Sequence, residues 1–215
     1  MHNFYPRVDT GLDVDYCIKC TDYIHEHGGE VWAFVSGDED KRGSVFEGLP
    51  TIERYRYLPP YVQYCLLKNR CSVDDVFLGD ISMTNFSSQI IHSTESDGVL
   101  RLPCDVDDKF ADELFYKVFT IRADSNSIVA RIRESRGYAS AGDEIAPYKN
   151  NEKRSAGSIT IDNINYSVYS GEVQICLKDL CPDNRVNVIG SIDENYIGLL
   201  ELCCRNQKIM FVPSE

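Results

Sequence analysis

Val31-Trp32-Ala33-Phe34-Val35 is a short, unbroken apolar run with Gly28-Gly29 behind it and Ser36 in front. A β-branched and aromatic run of this length reads as a strand buried in a parallel sheet. On its N-terminal side, Val14, Cys17, Ile18, Thr21 and Ile24 recur at helical spacing between residues 13 and 27, and the Gly-Gly pair ends the helix. On its C-terminal side a loop over residues 36–49 carries Lys41, Arg42, Gly43 and Gly48. Pro50-Thr51-Ile52-Glu53 then reads as a helix start with Thr51 as its cap. Pro59-Pro60 breaks that helix and opens another through Val62, Cys65 and Leu66. Val73 to Leu78 is a second strand, closed by Gly79-Asp80, and a weaker helix is expected over residues 84–91.

Helix and strand therefore alternate as in a parallel α/β protein. His2-Asn3-Phe4-Tyr5-Pro6-Arg7 reads as the tail of another buried strand running into a polar loop. A parallel strand needs neighbours and both faces covered, so this segment is expected to be the back part of a larger barrel or sheet. The polar stretch from Ser93 to Gly98 reads as a linker. Beyond it, period-two alternation marks strands over residues 114–121, 128–133, 158–162, 172–177, 186–192 and 208–212. Asp162-Asn163 and Ser170-Gly171 supply turns, and a closed or sandwich-like antiparallel domain is expected.

A formal charge of −12 over 215 residues argues against nucleic acid or an anionic membrane as partner. No stretch approaches the roughly 18 to 20 apolar residues of a membrane span, nor does the start have the basic-then-apolar run of a signal peptide. Nine cysteines are scattered through helix-like and strand-like segments. They read as reduced thiols filling core space, which places the chain in the cytoplasm. Cys17, Cys20, His25 and His27 can be drawn as a zinc site, but the two thiols share the apolar helical face while the histidines point apart. No metal and no cofactor is called for.

Three stretches go beyond generic α/β: His2 to Arg7 with Thr10-Gly11-Leu12; Glu47-Gly48-Leu49-Pro50-Thr51-Ile52-Glu53; and Arg154-Ser155-Ala156-Gly157-Ser158-Ile159-Thr160-Ile161-Asp162-Asn163. The last continues into Tyr169-Ser170-Gly171-Glu172-Val173-Gln174-Ile175 and Val186-Asn187-Val188-Ile189-Gly190. Together they resemble the bacterial 6-phospho-N-acetylmuramidase family, whose members have often been labelled outer surface proteins. The resemblance implies an α/β plus all-β chain: an incomplete TIM-type (β/α) barrel segment over residues 1–95, then a cyclophilin-like β-barrel domain over residues 96–215. It implies a cytoplasmic glycoside hydrolase that cleaves phosphorylated muramyl disaccharides in cell-wall recycling. Residues 4–5, 31–35 and 73–78 would be the last three barrel strands. The first five or so strand–helix units have no counterpart, so the chain is expected to be truncated, and inactive or dependent on a partner. The alternative is a non-catalytic phosphosugar-binding or interaction module that covers its open barrel edge by self-association.

In a barrel the chemistry gathers at the C-terminal strand ends. There the resemblance places Asn3, Tyr5 and Arg7, the Lys41-Arg42-Gly43 loop and Gly79-Asp80. Arg42, with Arg7 or Arg154, is the expected contact for the phosphate or the lactyl carboxylate of a phosphorylated amino-sugar disaccharide. Glycoside hydrolysis needs two carboxyl groups, and Asp80 and Glu53 are the candidates. Glu53 also lies in an expected first helical turn, where the helix dipole alone favours an acid. Arg154, Asp162, Asn163, Tyr166, Tyr169 and Glu172 gather about an expected hairpin. The family pattern has an arginine where this chain has Val168, which weakens an anion role for the hairpin.

Overall fold

The computed structural model describes residues 7–135, 145–149 and 151–214. The strand expected over residues 2–6, with Asn3 and Tyr5, lies outside the described residues. The chain divides into two compact units, one up to Ser96 and one from Asp97.

In the first unit, α1 (Val14–Glu26) leads through Gly28, whose φ of 75° ends the helix, into β1 (Trp32–Val35). A 3₁₀ turn (Glu53–Tyr55) precedes α2 (Pro60–Arg70), with Pro60 in the first helical position. Then come β2 (Asp75–Leu78) and α3 (Asn85–Asp97). β1 and β2 pair in parallel, Trp32 opposite Asp75 and Val35 opposite Leu78, so their C-terminal ends share one edge. Ala33 and Val35 are buried, as is every residue of α2 from Pro60 to Leu67. The other face of the pair leaves Trp32 and Phe77 exposed, with ring centroids 5.3 Å apart.

Two expectations change here. Thr51 caps no long helix; its hydroxyl accepts a bond from Phe34 N at 2.7 Å and so holds the end of β1. Nor is the segment from Ser93 a linker, because α3 runs through it to Asp97. Polar Ser, Thr and Glu are tolerated on an exposed helix, and the true stop is Gly98 at φ 68°.

The second unit is a seven-stranded sheet built from β3 (Leu100–Val106), β4 (Val118–Thr120), β5 (Val129–Arg131), β6 (Ser158–Asp162), β7 (Val173–Cys176), β8 (Val186–Ile192) and β9 (Lys208–Pro213). The strand order is β4-β9-β3-β8-β6-β7-β5, with only β3 and β9 parallel. The sheet curls into a half-barrel, and its two outer strands meet just past their ends at the antiparallel bridge Ile121–Ile132. A register shift between Ile159 and Thr160, opposite Gly190, assists the curl. A Cβ on Gly190 would lie 2.4 Å from the Asp105 carbonyl oxygen, so no other residue fits there without a shift.

β3 is a strand that the alternation does not announce, because Pro103 interrupts it. β8 pairs only with Cys104–Val106, which leaves Pro103 laddered on one side alone. The strand expected from Leu114 is shorter, since Leu114 closes the helix α4 (Asp108–Leu114). Inside the curl lie Leu102, Ile121, Ile132, Ile159, Ile175, Ile209 and Phe211, all fully buried.

Six of the nine cysteines pack as core: Cys17, Cys65, Cys71, Cys104, Cys176 and Cys203 are buried, whereas Cys20 is half-buried and Cys181 and Cys204 are exposed. Burial pushes Cys65, Cys104 and Cys203 up to about 12, so these thiols stay protonated. Among the described residues no helix is long and apolar enough to cross a membrane.

Phe211 packs on Phe119 at a centroid distance of 5.9 Å, in a strand with neighbours on both sides. Phe211→Ala is expected to cost about 3–5 kcal/mol, read as a lowered urea midpoint.

Candidate functional site

The parallel pairing of β1 and β2 puts the loop over residues 36–49 beside the turn over residues 79–84, and side chains then fasten the two. Asp80 accepts from Gly37 N and from Arg42 N, both at 2.9 Å. The Asp40 carbonyl accepts from Ile81 N at 3.1 Å. Asp38 accepts from Thr84 N at 2.7 Å and from Ser87 Oγ at 2.6 Å, while Thr84 Oγ1 caps the start of α3. Lys41 folds back, its Nζ donating to the Gly37 carbonyl. Gly48 sits against this cluster at φ 77°; a Cβ there would lie 3.3 Å from Asp80 Oδ2 and 2.9 Å from Ser36 Cβ. The exposed guanidinium of Arg42 has no partner among the described residues.

A second knot lies next to it. The Arg56 side chain is 2% exposed and uses all five of its N–H donors. Two go to Glu53, Nε to Oε1 at 2.6 Å and Nη2 to Oε2 at 2.5 Å. The other three go to the carbonyls of Glu47 at 3.0 Å, Gly48 at 2.8 Å and Arg7 at 3.0 Å. Glu53 in turn accepts from the backbone N–H groups of Asp9 at 2.9 Å, Thr10 at 3.2 Å and Gly11 at 2.7 Å. The Arg56 bonds, then those backbone donors, hold the Glu53 carboxyl down to about 2 against the opposing effect of burial.

The two carboxylates named from sequence thus both lie at the strand-end edge, on either side of Gly48. Asp80 positions the 37–42 loop, and Glu53 positions the 9–11 turn. The exposed side chain of Arg7 has no partner among the described residues, although its carbonyl is fixed by Arg56 and by Thr10 Oγ1 at 2.5 Å. Arg154 belongs to the second unit, where Nε donates to the Cys181 carbonyl at 2.9 Å. Sequence reading passed over Arg56, although Glu53-x-x-Arg56 is the i,i+3 spacing at which opposite charges meet on a helical turn. Of the drawn zinc ligands, His25 bonds Asp74 at 2.7 Å and His27 bonds the Tyr23 carbonyl at 2.7 Å. No group of three or more metal-ligating side chains occurs among the described residues.

Two parallel strand ends that carry paired loops, joined in one chain to a curled β unit, define a two-part protein with its polar groups at the strand-end edge. Residues 1–93 match the N-terminal and residues 100–212 the C-terminal part of 6-phospho-N-acetylmuramidase, and the chain belongs to that family. Two solved structures are similar: a conserved Enterococcus faecalis protein of unknown function, at 28% identity and TM-score 0.83, and an uncharacterized B. cereus protein, at 28% identity and TM-score 0.82. The first match covers 97% of this chain and 57% of its counterpart, the second 98% and 62%. The chain therefore spans less than two thirds of either neighbour. Among curated proteins, none matches it.

Because the folded Glu53 carboxyl lies below its ordinary value of 4.5, its stabilisation is complete above that value and drains away as pH falls toward about 2. Glu53→Gln is expected to cost about 1.5–3 kcal/mol at neutral pH. The gap from wild type should narrow between about pH 4.5 and 2, followed by urea denaturation at each pH.

Proposed function

We propose that the strand-end edge of the first unit is part of a glycoside hydrolase site for a phosphorylated muramyl disaccharide, of the 6-phospho-N-acetylmuramidase type. The observation that carries this reading is the family match over both units, taken together with Asp80 and with Arg42, which has no partner among the described residues, at the end of a parallel strand pair. In the proposal Arg42 and Arg7 take the sugar's phosphate or carboxylate by charge-assisted hydrogen bonds, and Asn3 and Tyr5, which lie outside the described residues, are assigned to the same ligand. Asp80 is the reacting carboxylate.

Glu53 does not suit the proton-donor role. A general acid must hold its proton near the working pH, and a carboxyl kept at about 2 is ionised there. We assign Glu53 to positioning and the second carboxyl of the pair to a group beyond Asp80 and Glu53. The architecture that goes with this reading is a segment of a TIM-type barrel followed by a cyclophilin-like β domain, acting in the cytoplasm in cell-wall recycling. It needs no metal or cofactor.

A second reading has its own observation. The exposed Trp32–Phe77 face of the two-stranded sheet is an apolar surface that a partner or second copy would cover. In that case the chain is an interaction module that retains phosphosugar-binding groups.

Release of 6-phospho-N-acetylmuramic acid from the phosphorylated disaccharide, read by mass spectrometry, tests the first reading. Asp80→Asn is expected to slow it by at least about 100-fold. Arg42→Gln is expected to raise KM more than it lowers kcat; unchanged KM would remove Arg42 from the site. The second reading expects self-association in sedimentation velocity, abolished by Trp32→Glu, and a monomeric wild type would end it.

A further inference from the structure

The interior of the second unit is not filled by its own side chains. Inside the curl lies an apolar cavity of about 200 Å³. Phe119 of β4, Ile161 of β6, Val173 of β7 and Ile189 of β8 form its walls, with Leu114 of α4 and Ile132 just past β5. All of these are more than nine-tenths buried. Gly171 also stands in the wall, at a φ of 95°, and has no side chain to fill the space in front of it. Protein interiors pack like organic crystals, and voids larger than a water molecule are few. A dry void of this size lowers stability unless something occupies it.

Water is a poor occupant. A buried water needs about two to four polar partners, and the polar groups of these walls are already used. Ser135 Oγ donates to the Ile132 carbonyl at 2.9 Å and accepts from Val173 N at 3.0 Å. The Val173 carbonyl accepts from Ile132 N at 3.0 Å, and the Ile189 carbonyl from Asp107 N at 2.8 Å. Glu113 is the one charged side chain among the described lining residues. It is exposed and pairs with Lys117 at 3.2 Å. Phe110 and Ile145, also in the lining, are half-buried, so the opening lies beside α4.

We propose that this cavity is a binding site for a small, neutral, apolar molecule of the size of a single substituted aromatic ring. The volume sets the size. An apolar cavity of about 150 Å³ admits benzene, so about 200 Å³ takes a ring with one or two substituents. The walls set the polarity: they hold no buried charge to meet an ionised ligand, and the Glu113 carboxylate beside the opening repels an anion. Phe110 and Phe119 favour an aromatic occupant, because rings pack well edge to face. Small curled or closed β-sheets hold single ligands in their interiors in the same way. The site lies wholly within the second unit and stands independently of the reading of the strand-end loops.

The test uses the intact chain with three probes: toluene, indole and hexanoate. Methyl NMR and thermal unfolding are the two readouts. We expect toluene or indole to shift the methyl resonances of Ile132, Ile161, Val173 and Ile189, and to raise the unfolding temperature as its concentration rises. Hexanoate, ionised at neutral pH, is expected to bind at least about tenfold more weakly. Val173→Phe and Leu114→Phe each place a ring in the void. Either variant, once shown to be folded, should unfold at a higher temperature without probe and bind toluene at least about tenfold more weakly. If neither variant folds, the wild-type methyl shifts decide by themselves. No response to either neutral probe up to its solubility would overturn the site. So would shifts confined to residues outside the cavity, unchanged toluene binding in a folded variant, or hexanoate binding as tightly as toluene.

Discussion

The first unit depends on one buried guanidinium. Arg56 is out of water, and a buried charge is tolerable only when every donor is used and a counter-charge is at hand. Its five bonds reach Glu53 and three carbonyls in two separate loops, so one side chain sets the spacing of Arg7, Glu47 and Gly48. Glu53 passes that constraint on to the backbone of Asp9, Thr10 and Gly11. Glycine is required at 11 for the same reason: a Cβ there would lie 2.5 Å from Glu53 N. Ser36 belongs to the same knot, its hydroxyl bonding the Arg56 carbonyl at 2.8 Å and Gln63 at 2.7 Å.

Asp80 does for the strand-end loops what Glu53 does for the preceding turn. Each carboxylate gathers backbone N–H groups from a segment that has no regular structure of its own. A loop rich in Gly, Asp and Ser cannot bury enough apolar surface to order itself, and charge-assisted bonds to main chain are the strong local alternative. The result leaves Lys41 tied inward and Arg42 exposed, with no partner for its guanidinium among the described residues.

The second unit uses ion pairs differently. Arg131 and Glu172 sit on its polar face, where the arginine satisfies a carboxylate that is 2% exposed. Arg122 adds a second cation 3.6 Å from the same carboxylate. The apolar side of the same strands packs Ile159, Ile161, Val173 and Ile175, so the face that carries chemistry and the face that carries stability are separated by strand alternation alone.

Much of this was legible in the residues. Period and punctuation identified α1, β1, α2, β2 and most strands of the second unit, because burial of alternating or helical faces is a local pattern. The same signals misread the segment after Ser93, where exposed polar residues are equally at home in a helix and in a loop, and passed over β3, where Pro103 hides a strand with one laddered side. Asp80 and Glu53 could be named as acids at a strand-end edge. Their partners could not, because Arg56 reaches backbone up to 49 residues away in sequence. Which carboxylate is consumed by main-chain donors, and which is held by an arginine instead, depends on distances between segments remote in the chain. Sequence by itself determined the elements and the types of charge available; only the tertiary structure decided how those charges pair, since pairing is a through-space property that no local pattern encodes.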